Sequence, residues 1–557
     1  MPKEISILVG GKAGDGIKQA GNFIGRLLNR IGWRVFIYED YPSLITGGHN
    51  FSVIRAGEEK VYSHRDKVDV VIALNEDAIE KHKDSLKEET IVIYDSDLIK
   101  EGEKDWIGIP MTSIAKENNL PLIVRNTISL GAFAASIGVE FGLVEKIIRD
   151  VLRKKIEENI KVSEKGYNFV KESGKSIPIE KLENKEPLPL LTGNEAVALG
   201  AVKGGMKLYV AYPMTPASSI LHFLAKNQEK LKILTVQPES EISVILMAEG
   251  AAASGVRTMI GTSGGGFALM TEALSLAGQA EIPIVIVLSQ RAGPSTGVPT
   301  YTMQGDLPFA LSAGHGEFLR VVVAPGDPEE TFYWGARAMN FAWKFQIPVI
   351  LMLDKHLSES TFSSEIDERG VKEQCAKLWD KKGEYERYKI VSDGISPMAF
   401  YGQKNAVVKY NSYEHDEFGI TTEDPDKIEK MIDKRLSKQK YIIEEMKKEE
   451  AIKIYGDRKS RKILITWGST KGVVKEVGEE LGLKVIQVVS LEPFPVWALK
   501  KELDGAEIII DVEVNATAPL AKLLDCNGLF ACEKILKYNA RPFTFDELKE
   551  KVLEKIK

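Results

Sequence analysis

Six short apolar runs between residues 192 and 360, at 208–211, 233–236, 258–261, 284–288, 319–323 and 349–353, each end in a loop, and most are followed by a stretch of helical period. Such a strand, loop and helix repetition predicts an α/β domain, because a strand face and a helix stripe bury each other most simply in layers. The first 172 residues carry the same pattern. A run at 5–9 enters Gly10-Gly11-Lys12-Ala13-Gly14-Asp15-Gly16, and apolar residues then recur at Ile17, Ala20, Ile24, Leu27, Leu28 and Ile31, giving strand, glycine loop and amphipathic helix. Further runs at 35–38, 68–74 and 91–94 predict a mainly parallel sheet there.

Between and after these blocks the pattern changes. Residues 173–191, with Pro178, Pro187 and Pro189 among Lys and Glu, break every period and read as a linker. The stretch 361–460 is charged, and Asp424 and Pro425 stand as N-cap and first residue of a long helix marked by Ile428, Met431, Ile432, Leu436, Ile442, Ile443 and Met446. It reads as a connecting segment, with an exposed arm as the alternative. In 461–557, short strands at 462–466, 484–488 and 508–512 alternate with helices and predict a third, small α/β domain.

Charge and cysteine content narrow the function. The 557 residues carry 74 Lys and Arg against 80 Asp and Glu, a net charge of −6, which argues against nucleic acid or an anionic membrane as the main partner. No apolar run approaches the roughly 20 residues of a membrane span, so a cytoplasmic location is expected. Three cysteines, Cys375, Cys526 and Cys532, are too few and too dispersed for a four-thiolate cluster, and they read as buried structural residues. The seven histidines are scattered, so no metal ligands are assigned.

Ligands of an open parallel sheet sit beyond the carboxyl ends of its strands, and four successive loops of the 192–360 block are rich in suitable groups. Tyr212-Pro213-Met214-Thr215-Pro216-Ala217-Ser218 presents a hydroxyl on a stiff turn, and Pro238-Glu239-Ser240-Glu241 opens a helix with a carboxylate. Thr262-Ser263-Gly264-Gly265-Gly266 permits close backbone approach, and Gln290-Arg291-Ala292-Gly293-Pro294-Ser295-Thr296-Gly297 offers a guanidinium and two hydroxyls. Each loop alone is more often just a turn. Four at one end of one sheet point to a site for an anion and a heterocycle.

The first and fourth of these loops resemble the 2-oxoacid:ferredoxin oxidoreductases, in particular the alpha subunit with a gamma domain fused in front. The resemblance runs through nearly the whole chain. Gly10 to Ile17 and Gly47-Gly48-His49 with Arg55 resemble the gamma domain, while Gly314-His315-Gly316-Glu317 and Ser412-Tyr413-Glu414-His415-Asp416-Glu417 resemble alpha-subunit signatures. Trp467-Gly468-Ser469-Thr470 and Glu513-Val514-Asn515 resemble the family's C-terminal domain.

The resemblance implies a pyrimidine-binding domain of the thiamine diphosphate fold at 192–360, between a gamma-type α/β domain at 1–172 and a transketolase-C-like α/β domain at 461–557. It implies CoA-dependent oxidative decarboxylation of a 2-oxoacid, with 2-oxoglutarate or broad specificity favoured, and electrons passing to ferredoxin. Glu241 matches the carboxylate that hydrogen-bonds the aminopyrimidine and activates the cofactor, with Glu249, eight residues on, as the rival. Thr215, Arg291 and Thr296 match positions that hold the 2-oxoacid, and Tyr212, Pro213, Ser263 and Gly264 are expected against the cofactor. The chain departs from the family at Gly265, where Pro is common, at Met214 for Ile, and at Ala518-Pro519 for Gly-Gln.

In the family a beta subunit holds magnesium, the diphosphate and the iron–sulfur cluster. Here Gly14-Asp15-Gly16 is the only GDG triplet, and Asn22 and Asn50 are badly spaced to complete it, so a beta chain is expected as partner. Two other readings stay open. One is a nucleotide-dependent enzyme using Gly11, Gly14 and Gly16 with Glu39; the other is a non-catalytic acceptor or scaffold subunit.

Overall fold

The computed structural model describes residues 2–43, 48–100, 102, 105–529 and 533–557. Gly47 of the Gly47-Gly48-His49 motif and Cys532 lie outside the described residues. The chain divides into two compact units, one of residues 1–191, 360–365 and 543–550, the other of 192–359, 366–542 and 551–557. Among the described residues the strands form sheets of eight, seven and five.

The first unit holds the eight-stranded sheet. Strand Glu4–Lys12 lies near its centre, and helix Ile17–Arg30 packs Ile17, Phe23, Ile24, Leu27 and Leu28 into the same core as Ile5, Ile7 and Val9. The expected mainly parallel sheet is corrected to a mixed one. Strands Val68–Ala73, Leu86–Asp95 and Ile107–Ile109 do run parallel to Glu4–Lys12 on one side. On the other, His49–Gly57 is antiparallel to both Glu4–Lys12 and Arg34–Asp40, and Thr361–Ser363 pairs antiparallel with Arg34–Asp40 through Thr361 opposite Ile37, with Leu190–Thr192 beyond it at the edge. The short connection between Asp40 and His49 leaves no room for a crossover helix of about a dozen residues, so those strands pair as neighbours in a hairpin sense.

In the second unit, the seven-stranded sheet has the order Ser490–Glu492, Val321–Val323, Pro348–Asp354, Ile284–Gln290, Thr258–Thr262, Leu208–Val210, Leu234–Val236. All adjacent pairs are parallel except the one made by Ser490–Glu492. The chain moves outward from Leu208–Val210 to Leu234–Val236, then resumes on the other side at Thr258–Thr262, so the order reverses between the Leu208 and Thr258 strands. That is the position at which the loops on either side diverge and open a crevice. The C-terminal sheet has five strands rather than three, since Ile452–Gly456 and Glu533–Leu536 flank the expected ones.

Helix Pro425–Met446 begins where its sequence signals place it, with the Asp424 side chain accepting from the backbone N–H of Asp426 at 2.9 Å and of Lys427 at 3.3 Å. It is no exposed arm. Met431, Lys434, Arg435, Lys438, Ile442, Glu445 and Met446 are buried along one face, and Lys434 and Lys438 both ion-pair with Glu281 of the central domain. Its lysines are tolerated inside because that carboxylate meets them there.

Cys375 and Cys526 are exposed free thiols, which corrects the buried reading; the first lies outside any helix or strand and the second ends helix Pro519–Cys526. No described helix is long and apolar enough to cross a membrane.

Candidate active site

With the sheet parallel, the four loops do leave the carboxyl ends of adjacent strands, in the order Ile284–Gln290, Thr258–Thr262, Leu208–Val210, Leu234–Val236. A direct contact ties two of them together. Arg291 Nη1 donates to the Thr215 carbonyl at 2.8 Å, joining the fourth loop to the first. Asn194, which the sequence did not single out, donates through Nδ2 to the Pro216 carbonyl at 2.8 Å and to Ser219 Oγ at 2.7 Å, so the Thr215 turn is held from behind.

Glu241 is the first residue of helix Glu241–Ala253, whose N-cap Ser240 accepts from Ser243 N–H. Its side chain turns inward and is 4% exposed. The expected glycine loop is corrected to the first turn of helix Gly264–Leu269, with Ser263 as its N-cap, and a Cβ on Gly266 there would lie 2.7 Å from Glu241 Oε1, so the missing side chain leaves this carboxylate its space. Oε1 has no hydrogen-bond partner among the described residues, and neither has the buried hydroxyl of Ser263. Two buried polar atoms without partners are an unmet demand for donor and acceptor groups.

Asp306 is a second residue the sequence did not flag. A Cβ on Gly264 would meet its Oδ2 at 2.7 Å, and its backbone N–H donates to Gln290 Oε1 at 3.0 Å. Burial pushes its carboxyl up to about 6 against the opposing pull of Arg291. Burial likewise lowers Arg291, with Asp306 acting the other way. Tyr212 and Pro213 stand exposed at the rim, and Thr296 is exposed on the turn closed by Val298 N–H donating to the Ala292 carbonyl at 2.9 Å. No contact draws Thr296 to the Thr215 and Arg291 pair among the described residues.

The rival Glu249 is buried on the same helix with neither carboxylate oxygen hydrogen-bonded among the described residues, and burial pushes it up to about 9. At neutral pH it is uncharged. Glu241, at the amino end of the helix, is the one beside Gly266.

The other sequence candidates have structural duties. Asp15 of the GDG triplet accepts from Lys12 N–H at 3.0 Å and ion-pairs with buried Arg125 at 2.5 Å, so it is committed inside the first unit. Glu39 is buried and accepts from Ser52 Oγ at 2.7 Å. The Ser412 to Glu417 motif packs near Gln279, at the amino ends of the strands, where Glu414 takes a bidentate pair from Arg435 at 2.9 and 2.7 Å. His49 and His82, far apart in sequence, meet at 2.8 Å between their Nε2 atoms, and burial holds His82 down to about 4.

Chemically, this end of the sheet offers a guanidinium with most of its fork unengaged, a buried carboxylate with one unpaired oxygen, and backbone exposed at Gly265. The fork suits a carboxylate through parallel hydrogen bonds. The unpaired Glu241 oxygen suits an N–H of a ring.

Residues 199–434, which contain all of these groups, match the family model described as the thiamine diphosphate-binding part of pyruvate flavodoxin/ferredoxin oxidoreductase, and residues 6–169 match that of pyruvate ferredoxin/flavodoxin oxidoreductase. The chain is 33% identical to the 2-oxoacid:ferredoxin oxidoreductase subunit alpha of a Sulfolobus species, covering 99% of this chain and 97% of the relative. It is 32% identical to the 2-oxoglutarate synthase subunit KorA of Methanocaldococcus jannaschii over 58% of this chain and 87% of that one. Among solved structures, the 2-oxoglutarate:ferredoxin oxidoreductase of Magnetococcus marinus, with 2-oxoglutarate, coenzyme A and succinyl-CoA bound, superposes with a TM-score of 0.91 at 31% identity, each chain covered completely.

Proposed function

The chain belongs to the 2-oxoacid:ferredoxin oxidoreductase alpha subunits, and on that premise we propose that the crevice around Glu241 and Arg291 is where a 2-oxoacid is bound, oriented and decarboxylated. The enzyme is an oxidoreductase that works with thiamine diphosphate and coenzyme A. The chemistry supplied by bound thiamine diphosphate is the stabilisation of carbanion character beside a carbonyl. The chain's residues fit its ring end: Glu241 Oε1 is buried and unpaired, the Ser263 hydroxyl is likewise without a partner among the described residues, and the missing side chain of Gly266 leaves space against the carboxylate. Tyr212 and Pro213 would border the same space.

Glu241 would accept a hydrogen bond from a ring nitrogen and hold the proton that moves there. Arg291 would bind the substrate carboxylate through the part of its fork that Thr215 leaves free, while the Thr215 and Thr296 hydroxyls donate to remaining oxygens. Such an arrangement orients the bond to be broken before reaction begins, which is where much of the rate enhancement of a bimolecular step resides. The observation that carries the reading is the inward-turned, unpaired Glu241 carboxylate against Gly266.

A beta chain completes the unit in this reading, bringing magnesium, the diphosphate contacts and an iron–sulfur cluster that passes electrons to ferredoxin. Its landing surface is supported by exposed Ile242, Leu246 and Met247 on the Glu241 helix and Leu269 nearby, each 46–53% exposed, an apolar patch beside a reactive crevice. We assign residues 1–172 as the gamma-type domain, 192–360 as the pyrimidine-binding domain and 461–557 as the transketolase-C-like domain, with 173–191 as a linker and 361–460 connecting the last two. The two exposed free thiols accord with a reducing, cytoplasmic setting. The M. jannaschii and M. marinus relatives favour 2-oxoglutarate, alone or within a broader range. The test is co-expression with the beta chain and a panel of 2-oxoacids with CoA and a viologen acceptor; absence of turnover on every 2-oxoacid by a complex with bound thiamine would refute it.

A further inference from the structure

The loop that carries Arg291 runs on from strand Ile284–Gln290 to Asp306, and its residues 293–298 are exposed. A loop this open leaves the direction of a guanidinium undetermined unless something fixes its far end. The near end is fixed by Gln290, whose Nε2 donates to the Leu353 carbonyl at 3.2 Å and whose Oε1 accepts from Asp306 N–H.

The far end is fixed by Gln304, 1% exposed, and every polar group it possesses is engaged. Its side-chain amide donates to Asp354 Oδ2 at 3.0 Å and accepts from Thr470 Oγ1 at 2.8 Å. Its backbone N–H donates to the Val514 carbonyl at 2.8 Å, and its own carbonyl accepts from Asn515 Nδ2 at 3.1 Å. Gly468 adopts φ +58°, and a Cβ there would fall 2.6 Å from the Gln304 amide nitrogen, so the turn after strand Lys462–Trp467 is shaped to admit this one side chain. Three of these four bonds and the glycine contact involve residues 468–515, the carboxyl-end loops of the five-stranded sheet. The fourth bond involves Asp354, at the end of a strand adjacent to Ile284–Gln290.

We propose that Gln304 is a positioning residue through which the C-terminal sheet holds the Arg291–Asp306 loop, and so the substrate-binding guanidinium, in register with Thr215. The inference rests on the reading of Arg291 given above. A polar clasp with no spare donor or acceptor has one satisfied arrangement, and loss of any member leaves buried groups unpaired and the loop free to shift. Displacement of a binding group by about 1 Å is enough to cost substantial activity. The third domain therefore acts on substrate affinity without touching the substrate.

The experiment uses the complex with its partner chain and compares Thr470→Val, Thr470→Ser, Gln304→Ala, Arg291→Lys and the double variant Thr470→Val with Arg291→Lys. Thr470→Val and Gln304→Ala should each raise the Michaelis constant for the 2-oxoacid roughly tenfold, leave that for CoA unchanged, and Thr470→Ser should restore it. The double variant should be no worse than Arg291→Lys alone, because the clasp acts through that side chain. Additive losses in the double variant, or a lowered melting temperature with an unchanged Michaelis constant, would overturn the proposal. If Arg291→Lys itself left the 2-oxoacid Michaelis constant unchanged, the reading of the site would fall and this inference with it. An effect of Arg291→Lys without one of Thr470→Val sinks the inference alone.

Discussion

The two ends of the seven-stranded sheet treat charge in opposite ways. At the amino ends, Glu281 is buried between Lys434 and Lys438, while Arg387 donates to Gln346 Oε1 at 2.9 Å and to the Glu281 carbonyl at 2.8 Å. Burial raises the Glu281 carboxyl, but the three cations outweigh it and hold the group below its ordinary range; burial brings Lys434 down to about 7. At the carboxyl ends, Glu241 and Ser263 have buried oxygens without partners among the described residues, and Arg291 gives one bond to a carbonyl. Paired charge at one end stabilises the fold, and unpaired polarity at the other is binding capacity held in reserve.

The largest effect expected from breaking this contrast is at the open end. Glu241→Gln should lower turnover by about 10²–10⁴-fold, the range for loss of a general acid–base group, with little change in melting temperature. Near-normal turnover would move the role elsewhere on the helix. At the closed end the reverse is expected: Glu281→Gln should cost about 3–5 kcal/mol of stability by stranding two buried lysines, while the Michaelis constants of the folded fraction stay put. The loss should shrink as the pH rises beyond about 10.5, where the lysines shed their protons in the unfolded chain as well as in the folded one.

Arg291→Lys comes next. It should raise the Michaelis constant for every accepted 2-oxoacid by about 1.5–3 kcal/mol, the worth of a charged hydrogen bond, with CoA affinity little changed. Selective loss of substrates with a second carboxylate would instead make Arg291 a reader of the substrate side chain.

The smallest effect sharpens the comparison, since Glu249 is unpaired yet lies away from the loops. Glu249→Leu should stabilise the isolated chain by about 1–3 kcal/mol by removing unsatisfied buried oxygens. The folded carboxyl keeps its proton to about 9 whereas the unfolded one loses it near 4.5. The folded state therefore binds the extra proton between those values, and wild-type stability falls as pH rises through that window. The advantage of the variant should grow from pH 5 to pH 8.5 in thermal melts; a constant difference would mean that Glu249 has an unrecognised donor.

What the sequence disclosed follows the reach of each interaction. The strands 208–210 and 284–290, the Asp424 cap and the four loops are local patterns, and the parallel sheet brought the loops to one end. Strand His49–Gly57 escaped notice because it opens with polar residues, and with it went the sense of half the first sheet. Asp306, Asn194 and Gln304 were illegible for a different reason: their partners lie 16 to 211 positions away, and nothing in Gln304-Gly305-Asp306 distinguishes it from a surface turn. Lys434 and Lys438 lie in a charged stretch, and their partner Glu281 is more than 150 positions away, so nothing local marks them as buried.

The late strand Thr361–Ser363 gives the first unit an unusual biography. Strand Arg34–Asp40, which it flanks, leaves the ribosome some three hundred residues earlier. At about 5–20 residues per second, that edge stays open for roughly 15–60 s of synthesis. Residues 543–550 join the same unit later still. The portion translated first is thus among the last to be finished, and a nascent chain must keep an unpaired strand from neighbouring ribosomes' products until its own distant segment arrives.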